Sequence, residues 1–306
     1  MTETKLPPGV LVFERGWLSS NNILFLGADS SALVDSGYGT HAAQTVALVE
    51  TGLKGRRLDC LLNTHLHSDH CGGNAALQAA YPDLQTWIPP GQEHFVSAWD
   101  PVALSYEPTG QFCPRFGFTD LLKPGSEVRL ADISWEIHAA PGHDPHSVIL
   151  FEPASRTLIS ADALWESGFG VVFPELDGED AFGEVAATLD LVERLNPRVI
   201  IPGHGPIFGY RSEVLAFARR RLASFVANPG RHANHAAKVL LKFKLLERQK
   251  LKFSDFSAWA RRTSHFEHMR KSFFPSTTFE SWIEQLTEEL VRSAAARRDG
   301  DLIFNN

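Results

Sequence analysis

At 306 residues, 43% hydrophobic and 21% charged, the chain has the make-up of an ordinary globular protein, with room for one large domain or a domain plus an appendage. No apolar run reaches the roughly eighteen residues of a membrane span, and three scattered cysteines without a CxxC exclude a disulfide framework and a thiolate-rich zinc site. The net charge of −7 is uneven: residues 1–210 carry 11 Lys+Arg against 26 Asp+Glu, and residues 211–306 carry 18 against 10.

The polar, proline-bearing start over 1–8 lacks the pattern of a secretory signal, so a cytoplasmic protein is expected. Apolar runs at 10–14, 22–27 and 31–35 predict a strand meander that ends on Asp35-Ser36-Gly37, with a helix over 41–50. A buried strand is predicted over 58–62, a helix over 74–80, a strand over 85–88 and a short helix over 92–98. Residues 99–126 are irregular, with Pro101, Pro108, Pro114 and Pro124. Their aromatics Trp99, Tyr106, Phe112, Phe116 and Phe118 suit either a pocket wall or a local plug. A hairpin follows over 128–130 and 133–138, then paired strands over 148–152 and 157–160. A second aromatic loop spans 164–178, where Trp165, Phe169 and Phe173 are expected to border a pocket. The stripe Phe182, Val185, Ala186, Leu189 and Val192 predicts a helix over 180–195, stopped by Asn196-Pro197, before a strand over 198–202. The remainder reads as helical: 211–228 with Arg219-Arg220-Arg221, ended by Pro229-Gly230; 233–246; 254–265, capped by Ser254; and 277–298, capped by Thr277 or Thr278.

The chemistry is concentrated where the strand over 58–62 gives way to a polar turn. His65, His67, Asp69 and His70 place four ligand-type side chains within six residues, at the carboxyl end of a strand. His65 and His67 are two apart on extended backbone and face one side, whereas Asp69 and His70 follow after the chain has turned. Neutral imidazole with carboxylate is a donor set for zinc, iron or manganese.

The stretch Thr64-His65-Leu66-His67-Ser68-Asp69-His70-Cys71-Gly72-Gly73 resembles the THxHxDHxGG signature of the metallo-β-lactamase superfamily. The resemblance runs over residues 10–210. It includes Pro141-Gly142-His143, Asp162 at the family's Gly-Asp turn and Gly203-His204-Gly205. It implies an α/β fold, a four-layer αββα sandwich over 1–210, followed over 211–306 by an all-helical appendage that in some relatives is a winged helix. It also implies two divalent metal ions, zinc by default with iron and manganese sharing the ligand types. His65, His67 and His143 would hold one ion and Asp69, His70 and His204 the other. Asp162 would bridge them, Asp69 would also orient the nucleophile, and Asp35 would lie under the site. The sequence departs from the family at Ala161, Asp144 and His146, which replace Gly, Thr and Gly. Thioesterases, lactonases and nucleases of the family have the bridging Asp, whereas its true β-lactamases lack it.

The resemblance therefore implies a metal-bridging hydroxide that hydrolyses a small thioester, ester or lactone. The alternative is a nuclease or phosphodiesterase whose basic tail holds nucleic acid, although no RRM, KH or zinc-finger signature is present. The complete ligand set argues against a non-hydrolytic binding protein. The same ligands with iron also suit an oxidoreductase of the sulfur dioxygenase or flavodiiron type, although no flavin-binding domain follows. Oppositely charged parts also suit docking within the chain or across a homodimer.

Overall fold

The computed structural model describes residues 5–306, so the first four residues of the polar start lie outside the described residues. The chain forms two compact units. The first runs to Leu104 and resumes over Phe112–Leu222; the second is Ser105–Gln111 together with Ala223–Asn306.

In the first unit, β1 (Val10–Phe13), β2 (Asn22–Leu26) and β3 (Ser31–Val34) form the expected antiparallel meander. β4 (Cys60–Leu62), β5 (Gln85–Ile88) and β6 (Asp120–Leu121) extend it in parallel, giving the order β1-β2-β3-β4-β5-β6. Parallel neighbours need crossovers. These carry α1 (Ala42–Leu53), then α2 (Ser68–Cys71) and α3 (Asn74–Ala80), then α4 (Glu93–Ala98) and α5 (Tyr106–Thr109). Residues 105–111, which hold α5, belong to the second unit. A second six-stranded sheet comprises β7 (Glu127–Leu130), β8 (Ile133–Ala139), β9 (Val148–Glu152), β10 (Thr157–Ala161), β11 (Val199–Pro202) and β12 (Phe208–Gly209) in unbroken order. Its parallel pair β10–β11 is connected through α6 (Phe173–Leu176) and α7 (Phe182–Leu195).

Strand alternation sends successive side chains into different layers. Ile23, Phe25, Val34 and Leu62 of the first sheet meet Trp135, Ile137, Leu150, Ile159 and Ile201 of the second. Their neighbours Leu24, Leu33 and Leu61 pack outward on Val49 and Leu53 of α1 and on Leu77 of α3. α7 buries Phe182, Val185, Leu189 and Val192 on one stripe. The layers are the helix–sheet–sheet–helix sandwich that the resemblance implied. Truncating a buried ring such as Trp135 to Ala costs about 3–5 kcal/mol.

The C-terminal part is helical as expected, with differences in detail. α8 (Ser212–Ala227) is followed by α9 (Pro229–Arg248), α10 (Phe253–Arg262), α11 (Ser264–Phe273) and α12 (Phe279–Arg292). Pro229-Gly230 opens α9 rather than only closing α8, because Asn228 caps the Arg231 amide and proline suits a first helical position. Ser254 is not a cap: α10 starts one residue earlier, after Lys252. Thr278 does cap α12, accepting from the Ser281 amide at 3.3 Å. The helix expected to reach Arg298 stops at Arg292. The segment also contains a three-stranded antiparallel sheet, β13 (Lys250–Lys252), β14 (Ala296–Asp299) and β15 (Leu302–Asn305), in the order β13-β15-β14. Ala294 at φ 57° breaks the helix, and Gly300 at φ 58° turns the β14–β15 hairpin. Arg298 on β14 is held by Glu284 and Glu288 of α12. The second unit's core includes Leu241, Leu245, Phe256, Phe266, Trp282, Ile283 and Ile303. Among the described residues, no helix is long and apolar enough to cross a membrane.

Candidate metal centre

The seven expected ligands converge from four strand ends. His65 and His67 follow β4, with Asp69 and His70 in the short α2; His143 follows β8, Asp162 follows β10 and His204 follows β11. Ligand atoms of His65, His67 and His143 lie within 4.8 Å of one another, and so do those of Asp69, His70 and His204. Asp162 faces both sets. Its Oδ2 is 3.5 Å from His143 Nε2 and 3.8 Å from His204 Nε2, and its Oδ1 is 3.3 Å from His70 Nε2.

The outer ring nitrogens are tied down, which decides where the inner ones aim. His143 Nδ1–H donates to the Val171 carbonyl at 2.5 Å, so Nε2 carries the inward lone pair. His70 Nδ1–H donates to Asp35 Oδ2 at 2.8 Å, so its Nε2 faces the centre. Asp35 also accepts from the Thr64 amide and hydroxyl, both at 2.8 Å, and reaches this position in a left-handed conformation at φ 59° that Asp tolerates. His67 turns Nε2 toward Asp144 Oδ2 at 3.8 Å and Nδ1 toward His143 Nε2 at 2.8 Å. His65 Nε2 and His70 Nε2 are buried without a hydrogen-bond partner. Buried imidazole nitrogens of this kind, aimed at one another and at two carboxylates, fit a divalent cation pair.

Electrostatics separates the two sets. Burial pushes the His65 imidazole well below its ordinary range, and His67 and His143 down to about 4, so these rings are neutral. Burial acts on His70 as well, but the carboxylates of Asp162 and Asp35 outweigh it and raise His70 well above the usual value. Asp162 is buried too, yet His70 and His204 hold it well below the usual carboxylate range. Asp69 is lowered against its burial by its contact with His204, 3.1 Å from Oδ2.

Close approach explains the glycines at these turns. A Cβ at Gly203 would collide with Asp162 Oδ1, and one at Gly170 with the His143 ring. Ala161, where the family has Gly, sits at φ 46° beside a register shift in β10, a conformation that costs about 1–2 kcal/mol for an L-residue.

Several site residues had no signal in the sequence. The loop before β2 stitches the turns of the candidate ligands together: the Ser20 amide donates to the Asp69 carbonyl at 2.9 Å and the Asn21 amide to the Gly203 carbonyl at 2.6 Å. Asn21 Nδ2 donates to the carbonyls of Pro202 and Gly205 at 3.0 and 2.8 Å. Trp17 of the same loop lies parallel to the His204 ring, with centroids 5.5 Å apart and planes at 9°, although it is 55% exposed. Trp165 stands edge-on to Trp17 and His204, and its Nε1–H donates to Asp162 Oδ1 at 3.1 Å. Phe173 is edge-on to His67 at 5.9 Å, so two of the three aromatics expected at the pocket flank candidate ligands directly. Phe169 is buried instead under the Arg221 guanidinium, 5.6 Å from the ring.

Asp144 is buried beside His67, and its carboxyl is raised by that burial. His146 packs against Gly91 on the rim. In the first aromatic stretch, Phe116 and Phe118 line a cavity of about 430 Å³ with Gln78, Val96, Ser97, Arg115 and Gly117; none of the seven ligands lines it. Tyr106 is buried in the second unit. Within the arginine run, Arg219 pairs with Asp190 and Glu193 at 2.7 and 2.6 Å, and Arg221 donates to the Ser167 carbonyl at 3.3 Å.

A family model described as the metallo-beta-lactamase superfamily matches residues 15–204. A hydroxyacylglutathione hydrolase of Stenotrophomonas maltophilia (strain R551-3) is 32% identical over 144 residues, 47% of this chain and 45% of the relative. A hydroxyacylglutathione hydrolase of Anaeromyxobacter dehalogenans (strain 2CP-C) is 30% identical over 212 residues, 68% of this chain and 69% of the relative. The chain thus spans from about half to about two thirds of the length of these curated relatives. Among solved structures, the metallo-beta-lactamase family protein TTHA1429 from Thermus thermophilus aligns over 99% of this chain and 100% of its own, with TM-score 0.58 and 19% identity. TTHA1623 in a di-iron-bound form aligns over 69% of this chain and 98% of its own, with TM-score 0.53 and 26% identity.

Proposed function

The chain belongs to the metallo-β-lactamase superfamily, and we propose that it is a metal-dependent hydrolase working with two divalent ions on a small thioester, ester or lactone. The observation that carries the reading is Asp162, whose two carboxylate oxygens lie 3.3–3.8 Å from imidazoles of both triads. Two ions held there would acidify a shared water and polarise a carbonyl oxygen. His65, His67 and His143 are proposed to hold one, and Asp69, His70 and His204 the other, with Asp162 between them. Zinc is the proposed metal on this donor set, and elemental analysis separates it from iron, the metal in the TTHA1623 structure.

The protein's own groups do the positioning. Asp69 is kept ionised beside His204, so it can accept a hydrogen bond from the attacking water and orient it. Trp165 fixes Asp162 through its indole N–H. Trp17 and Trp165 form an apolar wall beside His204 that suits an acyl or similarly apolar group. An excess of acidic residues over 1–210 disfavours a polyanionic substrate. The name shared by the two relatives, hydroxyacylglutathione hydrolase, supports an acyl-transfer substrate class. The helix and strand order of the second unit, with its sheet β13-β15-β14, supports a winged-helix-like reading of that part.

The test is a panel of thioesters, lactones and phosphodiesters offered to metal-replete protein. Thioester or lactone hydrolysis is expected, falling at least about a thousandfold in kcat/KM in Asp162→Ala, about 4 kcal/mol of transition-state stabilisation. Activity within tenfold of the parent in that variant overturns the binuclear reading. A clear preference for phosphodiesters overturns the substrate class.

A further inference from the structure

We propose that Cys71 and Cys113 are a redox-modification site, joined under peroxide into a reversible disulfide that loosens the metal-binding turn. Their sulfurs lie 3.8 Å apart, 42 residues apart in sequence, and both residues are in the first unit. Both are reduced in the structure.

The approach is held in place by the surrounding contacts. Cys71 is the last residue of α2, directly after His70. Its amide donates to the His67 carbonyl at 3.1 Å, and it bridges to Gly37. Cys113 lies in the irregular segment between α5 and β6. That segment is fastened on either side of the cysteine. The Phe112 amide donates to the hydroxyl of the buried Tyr38 at 2.8 Å, and Phe112 and Pro114 lie so close to Gly39 that a Cβ there would crowd both. The sulfurs have to close from 3.8 Å to the roughly 2.05 Å of a disulfide, by side-chain rotation together with a shift of the turn that carries Cys71.

Exposure sets the order of events. Cys113 is part-exposed and Cys71 fully buried, so peroxide meets Cys113 first. The peroxide O–O bond breaks, one oxygen adds to Cys113 Sγ as a sulfenic acid, and one water leaves. Cys71 Sγ then attacks that sulfur. The S–O bond breaks, and the hydroxyl departs with the Cys71 proton as a second water. Two thiols lose two electrons and two protons, and one peroxide becomes two waters. A dithiol returns both electrons. The third cysteine, Cys60 on β4, is an internal reference, since burial with the neighbouring Asp59 and Asp120 pushes its thiol up to about 12.

Cys71 closes the turn that carries Asp69 and His70, so drawing its sulfur toward Cys113 displaces two of the proposed ligands. This consequence rests on the metal-centre reading; the disulfide itself does not. Metal-loaded protein is treated with hydrogen peroxide, unfolded in denaturant at alkaline pH with an alkylating agent, and digested. Alkylatable thiols are expected to fall from three to one, with Cys60 retained, and a peptide pair joined through Cys71 and Cys113 to appear and to vanish on dithiothreitol treatment. Three remaining thiols, or sulfinic acid on Cys113 without the joined pair, overturns the disulfide. In the oxidised protein, bound metal is expected to pass to a chelator at least tenfold faster, and at the original rate after reduction. Cys113→Ser under the same peroxide dose should show neither the link nor the faster release. Equal release from linked and reduced protein overturns the control of metal while leaving the disulfide established. Protein that never holds metal fails the metal-centre reading instead.

Discussion

The two candidate ligand triads share Asp162 and comparable burial, yet they differ in charge. His65, His67 and His143 are three imidazoles kept neutral by burial. Asp69, His70 and His204 include a carboxylate, and His70 keeps its proton because Asp35 and Asp162 face its two nitrogens. Burial alone expels a proton from an imidazole, whereas burial beside carboxylates retains it. On the two-ion proposal, the first triad would take a cation without losing a proton, and the second would release the one on His70.

The comparison breaks most sharply by deleting one ligand from either side. His67→Ala and His204→Ala are each expected to leave about one metal equivalent instead of two by elemental analysis, with hydrolysis down at least about a thousandfold. Loss of both ions in either variant would show that the triads do not bind separately. A smaller effect is expected for Asp35→Asn, which keeps the shape but removes the charge facing His70 Nδ1 at 2.8 Å. Metal at the second triad should weaken by about 10–100-fold in chelator competition while the first is unchanged. Equal affinities in parent and variant would remove Asp35 from the account.

The smallest effect is in the metal-free protein. Unfolded, His67 and His143 take protons near pH 6.5, whereas folded they resist until about 4. Between those values the unfolded chain binds more protons, so stability falls as pH drops. The depressed carboxylates of Asp69 and Asp162 add to the loss at the acid end. His70 acts oppositely: its raised value contributes stability that is present below its unfolded value and lost as pH rises through its folded one. With His65 also lowered, three neutral rings oppose one charged ring. The thermal midpoint should drop by about 5 °C or more from pH 6.5 to 4, and a flat or rising midpoint would contradict the assigned charges.

Some of this was legible before folding. The apolar runs at Ile23-Leu24-Phe25 and Leu61-Leu62 announced the strands of the sandwich, because a short apolar run bounded by turn residues is a local signal. The tail's extra sheet had a signal in Asp299-Gly300, a hairpin pair just past the helix expected over 277–298, whose last residues from Ala296 form β14 instead. Trp17 was unreadable, since an exposed tryptophan in a loop has no period and gains meaning only from His204 beneath it.

By itself, the sequence offered His65, His67, Asp69 and His70 as donor side chains at one strand end, because ligand chemistry and strand period are properties of neighbouring residues; His143, Asp162 and His204 joined them only through the family resemblance. The tertiary structure alone decided the rest. It set which nitrogen of each histidine faces inward, through Val171 and Asp35, and how Asn21 ties the Gly203 turn to the loop before β2. It also decided that residues 105–111 belong to the second unit, and that Cys71 lies against Cys113. Each of these is a contact between residues far apart in the chain, and the energy that selects it, from hydrogen bonds made and apolar area buried, exists only once both partners have been brought together.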